Sequence, residues 1–399
     1  MKYLQKILIN KKIIIGLIIT LSVIAALQSY LPGESYFEAT GYNYTQYNNY
    51  KIFTHSYYHL INNQDIYQRF EAEHWDLFKY TPTFALFFGF FTLLPDWLGL
   101  IIWSLINSLV LVAAIYSLPN INTKYQTLIL FIAVFELVTS LQNEQSNALI
   151  TGLLVFSFVF LEKEKPMLAT LVVILSVFIK LFGIVGFVIF IFYPKKLKLF
   201  LYALMWTLIL LVLPLLVIDP DQYGNLLNSY IKMLGEDHSG SEGYSVMGWL
   251  SSWFSLNLNK FYIVLTGAVL LLLPLLKFNN FKDYYFRLLA LCSVLIWVVI
   301  FNHKAESPTF IIAISGVAIW FIISPKNWIN ISLFVFAIIF SSLSTTDLFP
   351  RVVFNEFVHP YSLKAVPCIF IWFKILYDMF FFKETEYISG ENGSLPDSP

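Results

Sequence analysis

The chain has 399 residues, of which 58% are hydrophobic and only 13% charged, and its mean hydropathy is +0.69. A soluble domain is about a quarter charged, so this composition excludes a soluble globular protein and indicates a polytopic membrane protein. Basic and acidic residues balance at 25 each, which gives no support to a nucleic-acid partner. Because the apolar runs are long and continuous, we expect an all-α fold with about 10–13 membrane segments rather than a β-barrel.

The first apolar run extends from Ile13 to Leu31 and follows Lys11 and Lys12. It lies where a signal peptide would lie, but it is longer than the apolar region of a signal peptide, lacks an A-x-A-like cleavage site and precedes further apolar runs. We interpret it as an uncleaved first helix with a cytoplasmic N-terminus. The polar stretch 30–82, which we call the first loop, then lies outside.

The first loop is by far the most polar stretch of the chain and is rich in aromatic residues. Carboxylates and histidines exchange protons, and aromatic rings offer apolar faces with polar edges that suit sugar rings. A membrane-interface belt of aromatic residues with solvated charges has the same composition. If the second half of the loop is helical, Glu73 would lie near Asp76 or Lys79. The candidate acid–base groups are Asp65, Glu71, Glu73, His74 and Asp76.

Clusters of lysine between the later apolar runs allow a topology to be predicted, because cytoplasmic loops carry excess positive charge. They place 219–260 outside as a second outer loop, and the C-terminal tail inside. We expect one integral membrane domain over 1–382 and a disordered cytoplasmic tail over 383–399. The predicted later spans are 98–118, 127–141, 148–161, 167–193, 199–218, 261–277, 288–301, 309–324, 328–346 and 363–382.

Two stretches are compatible with two different membrane topologies, which we call wirings. Residues 83–94 form a helix of about 18 Å, too short for a core of about 30 Å, whereas 167–193 is longer than one untilted span needs. Either both are single spans, or each enters the membrane and returns. We favour the second wiring, in which the long run breaks near Lys180 and residues 142–147 lie outside.

Polar and aromatic residues gather on the predicted outer side in three further stretches, 219–260, 302–307 and 347–360. Arg69 and Arg351 also lie on that side, against the usual bias of arginine. Solvated loop charge explains any one of these residues. Four such stretches together suggest convergence on one outward-facing cavity, where Arg351 is a candidate substrate contact.

Four later residues stand out against their apolar surroundings. Lys180 lies in LSVFIKLFGIVGF, where a charge costs about 2.5–3.5 kcal/mol on the insertion scale, and pairing with an anionic head group would explain it. Glu136 is a similar isolated charge. His303 and Lys304 in FNHKAESPTF are either a snorkelling turn or contacts to a phosphate or sugar.

The order of motifs along the chain resembles glycosyltransferase family 87, over about residues 45–345. In the first loop the matching elements are QDIY, with Asp65 and Tyr67, and then a Tyr-x-Pro. A G-Q-x-N element, a lysine after a small-residue helix, an N-Q-S-x-x-G element and a late histidine follow. The residues that carry these later elements here are Tyr80, Gln145, Asn147, Lys180, Ser245, Gly248 and His303.

The resemblance implies a GT-C type integral membrane enzyme that moves a mannose-like hexose, with inversion, from a polyprenyl-phosphate donor to a glycan, lipid or protein acceptor. The site would lie on the outer face of a bacterial inner membrane and would need neither metal nor cofactor, because phosphate is already a good leaving group. Lys180, His303 and Lys304 would hold the phosphate. Further expected substrate contacts are His74, Lys79, Tyr80, Gln145, Asn147, Ser245 and Arg351.

One departure from the family pattern concerns the catalytic base. The acidic residue that the family carries early in the first loop aligns with Asn49, which cannot accept a proton at neutral pH. Either Asp65, Glu73 or Asp76 takes over, or activity is changed or lost. Two other functions stay open, a transporter or flippase of lipid-linked saccharides, for which a charge such as Lys180 in an apolar run is typical, and a non-catalytic member of a cell-envelope complex, which Asn49 favours.

Overall fold

The structure is a computed structural model and describes residues 10–236, 242–383 and 387. The fold is all-α, as predicted, apart from one small hairpin in the first loop. The α-helices and strands are α1 Lys11–Tyr30, β1 Glu34–Phe37, β2 Tyr42–Thr45, α2 Asn48–Ile61, α3 Pro82–Phe88, α4 Asp96–Tyr116, α5 Thr123–Gln142, α6 Asn147–Glu162, α7 Pro166–Ile179, α8 Phe187–Phe190, α9 Lys196–Val212, α10 Pro220–Glu236, α11 Val246–Phe254, α12 Lys260–Leu272, α13 Tyr284–Ile300, α14 Phe310–Ile323, α15 Trp328–Ala337, α16 Arg351–Val353 and α17 Val366–Phe380.

Short 3-10 and π segments extend or connect several of these helices. The 3-10 segments are Gly89–Leu93, Leu181–Gly186, Leu213–Leu216, Leu273–Lys282 and Ser307–Thr309, and the π segments are Ile338–Leu343 and Phe354–Val358. The tail beyond Lys383, which we predict to be disordered, lies outside the described residues except for Tyr387.

Five helices in the described part of the chain are long and apolar enough to cross a membrane. They are Lys11–Tyr30, Asp96–Tyr116, Thr123–Gln142, Lys196–Leu216 and Lys260–Lys282. Seven shorter apolar helices accompany them, so the chain is a polytopic helical membrane protein. The starts of these helices follow from local chemistry, because Asn or Asp side chains accept a backbone N–H at several N-termini. These caps are Asn10, Asn122, Asn259, Asp283 and Asn327.

The helices run between two faces of the protein. The loop face carries the first loop, the turn 143–146 and the segment 301–309, and the far face carries the opposite helix ends. Helices α6, α7 and α13 each connect the two faces, over about 20–25 Å at 1.5 Å per residue. Lys11 lies 4.4 Å from the ring centre of Tyr116, which places the start of α1 and the end of α4 together on the far face.

The structure has the second of the two wirings. Lys51 in the first loop contacts Asp96 at 2.7 Å, so residues 82–95 begin and end at the loop face. Asn49 donates a hydrogen bond to the carbonyl of Asn143 at 2.9 Å, which puts 143–146 on the same face. The run 166–193 rises along α7, breaks at Lys180, and returns to the far face through the 3-10 segment and α8.

The first loop folds onto the helix ends. Its strands pair antiparallel, with Glu34 opposite Thr45 and Phe37 opposite Tyr42, and α2 follows. Residues 62–81 form turns and extended backbone, so the condition of a helix around Glu73 is not met. Aromatic packing replaces helical hydrogen bonding there, and the Trp75 ring stacks on Phe37 with a centroid separation of 5.7 Å.

A buried ion pair joins helix α5 to the segment before α17 in the helical core. The Lys364 ammonium lies 2.8 Å from a carboxylate oxygen of Glu136, and neither side chain is exposed. Lys364 also donates to the Thr345 hydroxyl at 3.1 Å and lies 4.9 Å from the centre of the Phe310 ring. Glu136 is therefore an isolated charge only in sequence, because its partner lies 228 positions away.

We predict that Lys364→Met destabilises the protein by about 3–5 kcal/mol, because it leaves the Glu136 carboxylate buried without its cation. The double variant Glu136→Leu with Lys364→Met removes both charges and should recover most of this loss. Denaturation in detergent micelles measures both effects. Equal stability of the Lys364 variant and the unmodified protein would show that the pair contributes nothing.

Candidate active site

Lys180 lies where helix α7 breaks. The helix ends at Ile179, and Lys180 adopts an extended conformation with φ −136° and ψ 128°. The chain then turns back so closely that a Cβ on Gly183 would lie 2.6 Å from the carbonyl carbon of Ser176. Only glycine fits this approach, so the sequence LSVFIKLFG directs the Lys180 side chain away from its own helix.

Two amide side chains at the start of α6 hold the Lys180 ammonium. It donates to the Gln145 side-chain oxygen at 3.1 Å and to the Asn147 side-chain oxygen at 3.0 Å. Asn147 in turn donates to Gln145 at 2.7 Å and to the carbonyl of Pro308 at 3.0 Å. The network fixes the position of a cation and joins three separate segments of the chain.

A carboxylate from the segment 301–309 completes this network. Gln145 donates to Glu306 at 3.3 Å, and Glu306 interacts electrostatically with Lys180 and Tyr80. We call Tyr80, Gln145, Asn147, Lys180 and Glu306 the Lys180 cluster. The sequence interpretation singled out His303 and Lys304 in this segment and missed Glu306 as a site residue, because its partner lies 161 positions away.

The end of the first loop covers the Lys180 cluster. The Tyr80 ring centre lies 5.7 Å from the Lys180 ammonium, within cation–π range. The Thr81 hydroxyl donates to the carbonyl of Phe178 at 2.6 Å, which fastens the loop to the end of α7. Tyr80 itself is buried and stacks on Phe84 at 4.7 Å, so its position is determined by packing.

Further cations lie beside the cluster. Lys79 pairs with Asp76 at 3.0 Å and interacts electrostatically with Lys180. Burial lowers the pKa of Lys304, Lys79 lowers it further, and Asp76 acts in the opposite direction. Lys79 therefore lies near both Lys180 and Lys304, and an anion beside Lys79 would relieve the repulsion that it exerts on the other two lysines.

Two cavities adjoin the cluster. An apolar cavity of about 110 Å³ has Phe178 and Ile179, the residues just before Lys180, in its wall; its other lining residues are Phe84, Phe87, Phe88, Phe91, Trp103, Leu149 and Leu175. A polar cavity of about 610 Å³ includes Glu306. Its other lining residues include Tyr244, Gly248, Ser251, Ser252, Asn257, His359 and Ser362.

The structure gives the other carboxylates of the first loop different partners. Asp65 accepts hydrogen bonds from the Ser229 hydroxyl at 2.7 Å and from the backbone of Tyr67 at 3.0 Å. Glu73 lies 2.8 Å from His55 and 3.0 Å from His59. Of the three predicted candidates for the base, only Asp76 lies next to the cations of the site.

Several predicted substrate contacts have structural partners. His74 is buried, and its Nδ1 lies 2.7 Å from the carbonyl of Asp76, so it shapes the backbone at that carboxylate. Ser245 is buried and caps α11, where it accepts from the backbone of Gly248 at 3.3 Å. Arg351 is exposed and pairs with Asp347 at 2.9 Å.

His303 lies in the turn that carries Lys304 and Glu306. Its carbonyl oxygen would be 2.9 Å from a Cβ on Gly243, which has a φ of +56°. The backbone of Tyr244 donates to the carbonyl of Ala305 at 2.9 Å. Segments 242–248 and 301–309 therefore pack together by backbone contacts at the polar cavity.

A sequence model of glycosyltransferase family 87 matches residues 78–325, more than half of the chain. The chain belongs to glycosyltransferase family 87. It is therefore a glycosyltransferase, and its apolar helices make it a membrane protein. No curated protein sequence matches the chain.

The family match begins at the site itself. It includes every member of the Lys180 cluster together with Lys79 and Lys304, but Asn49 and the carboxylates of Asp65, Glu73 and Asp76 precede it. Family membership favours the enzyme over the transporter and over the non-catalytic partner. It leaves the identity of the base to be argued from geometry.

A second carboxyl group lies immediately next to Gln145. Glu144 is buried, and one of its carboxyl oxygens has no hydrogen-bond partner in the described part of the chain. Burial raises the pKa of Glu144 to about 8, against a smaller opposite effect of the Ser29 hydroxyl. Glu144 is therefore largely protonated at neutral pH and adds little negative charge beside the Lys180 cluster.

We predict that Glu144→Gln stabilises the protein in the alkaline range. Because the pKa of Glu144 is raised on folding, its protonated form contributes stability at low pH that is lost as the pH rises through about 8. The amide cannot ionise, so the melting temperature of the variant should fall less between pH 6 and about pH 9. If the melting temperatures of both proteins fell equally between pH 6 and about pH 9, Glu144 would not titrate in this range.

Proposed function

We propose that the chain transfers a mannose-like hexose from a polyprenyl-phosphate donor to an acceptor hydroxyl at the loop face. The observation that supports this proposal is the position of Lys180, a cation held by two amide oxygens that directly follows two lining residues of an apolar cavity, Phe178 and Ile179. A lipid-linked phosphate has the complementary form, with an anionic head joined to an apolar chain. Lys79 and Lys304 would share the phosphate charge, and Phe178 and Ile179 would contact the first isoprene units.

Glu306 is the carboxylate best placed to act as the base. It adjoins Lys180 through Gln145 and also borders the polar cavity. Hydroxyl, amide and aromatic side chains in that cavity suit a saccharide acceptor. Asp76 is the second candidate, because it also adjoins Lys79 and Lys304.

The reaction then follows from the positions of these groups. The acceptor oxygen attacks the anomeric carbon from the side of the polar cavity while its proton passes to Glu306. The bond between the anomeric carbon and the phosphate oxygen breaks, and the phosphate leaves with the electron pair towards Lys180. Stabilisation of that developing negative charge lowers the barrier, and attack opposite the leaving group inverts the anomeric configuration. We place the loop face outside a bacterial inner membrane, with both termini in the cytoplasm, because the lysine-rich turns lie on the far face.

The direct test of this function is to incubate the purified protein with polyprenyl-phosphate sugars and an acceptor, and to measure the released polyprenyl phosphate. We predict that Lys180→Met reduces this release by at least about a hundredfold, because the leaving phosphate loses its principal cation. Lys180→Arg keeps the charge and should retain part of the activity. Wild-type release by the Met variant would contradict the role of Lys180, and no release by the unmodified protein with any donor would contradict the proposed function.

A second experiment separates the two candidate bases. We predict that Glu306→Gln lowers kcat by about 10²–10⁴-fold with little change in the KM for the donor, because proton transfer in the transition state is lost. Asp76→Asn should reduce kcat by less than about tenfold, since it removes only the partner of Lys79. The opposite ranking would assign the base to Asp76.

A further inference from the structure

A second cavity with cations lies at the far face, away from the Lys180 cluster. It has a volume of about 700 Å³ and is lined by Lys195, Lys196, Lys198, Lys282 and Arg287 among others. Helices α6, α7 and α13 each have one end at this basic cavity and the other at the candidate active site. The two sites are therefore about 20–25 Å apart along these helices, and one donor phosphate cannot contact both.

Arg287, the arginine of the basic cavity, already has a carboxylate partner. Its guanidinium makes two contacts to Glu162, at 2.6 and 2.8 Å, and donates to the carbonyl of Phe281 at 2.8 Å. The Tyr193 hydroxyl also bonds to Glu162. This partly buried network belongs to the lining of the cavity, and the guanidinium neutralises the Glu162 carboxylate.

The lysines of the cavity are differently placed. All four are exposed, and none has an ion-pair partner among the residues that the structure describes. Glu164 is the remaining carboxylate in the lining. The rim of the basic cavity therefore carries a clear excess of positive charge, which an anionic group would satisfy.

An apolar groove continues from the basic cavity. It has a volume of about 200 Å³ and shares Ile191, Lys196 and Leu199 with the cavity. Its other lining residues are Phe187, Phe190, Phe200 and Ala203. The groove follows helix α9 from Lys196 towards Ala203, so it runs from the far face into the apolar zone. The adjoining side chains of Leu197 and Phe200 are 72% and 63% exposed, as expected for a helix in contact with lipid.

We propose that the basic cavity binds the head group of an anionic phospholipid and that the groove holds one of its acyl chains. The lysines match a phosphate at the membrane surface, where each contact adds to the attraction. The aromatic and aliphatic walls of the groove match a hydrocarbon chain. A soluble phosphate would use the rim and leave the groove empty, so the shape of the combined site favours a lipid.

The test compares two charge-matched variants of the full chain in detergent. Lys196→Gln with Lys198→Gln removes two lysines of the cavity, and Lys163→Gln with Lys165→Gln removes two exposed lysines of the same face that do not line it. Native mass spectrometry measures the binding of added phosphatidylglycerol and phosphatidylcholine. We expect the cavity variant to bind phosphatidylglycerol about tenfold more weakly, and the control variant to bind it within about twofold of the unmodified protein.

Three results would overturn the proposal. An equal loss in both variants would mean that general surface charge attracts the lipid, and equal binding of the two lipids would mean that the lysines do not select an anion. Binding of glycerol phosphate as tight as that of phosphatidylglycerol would show that the groove contributes nothing. Melting curves of both variants verify that each remains folded.

Discussion

The candidate active site depends on one charged side chain in an apolar region. A lysine inside the hydrocarbon region costs about 2.5–3.5 kcal/mol on the insertion scale, so Lys180 is tolerated only where polar partners compensate. Gln145 and Asn147 provide two oxygens for it at 3.0–3.1 Å. The break in α7 places the ammonium at these oxygens, and Gly183 permits the return of the chain. The turn 143–146, the break and the first loop are all arranged around this cation.

Two amide oxygens around the Lys180 ammonium suit a cation that binds and releases a phosphate in every reaction cycle. Amide oxygens hold the ammonium without neutralising it, whereas a carboxylate in direct contact would compete with the ligand. Glu136 and Lys364 show the opposite case. Their charges neutralise each other in a direct contact at 2.8 Å, which joins α5 to the segment before α17. The chain thus has one lysine, Lys364, in direct contact with a carboxylate and another, Lys180, held by two amide oxygens.

Much of the fold could be predicted from hydropathy and the distribution of lysine, because length and charge limit a chain in lipid to a few arrangements. The wiring of 83–193 was decided by contacts that no local pattern contains, such as Lys51 with Asp96. Motif order singled out Gln145, Asn147 and Lys180, which contact one another in the structure. It could not find Glu306 or Lys364, since both are defined by partners more than 150 positions away, and it could not rank the carboxylates of the first loop. Those were separated only by their neighbours, Ser229 for Asp65 and two histidines for Glu73.

In the proposed reaction Lys180 binds the phosphate of the donor. A structure determined with bound polyprenyl phosphate tests it most directly. We expect the phosphate within hydrogen-bond distance of the Lys180 ammonium, with the first isoprene units beside Phe178 and Ile179. A phosphate bound at the far face, or at the loop face without contact to Lys180, would contradict it.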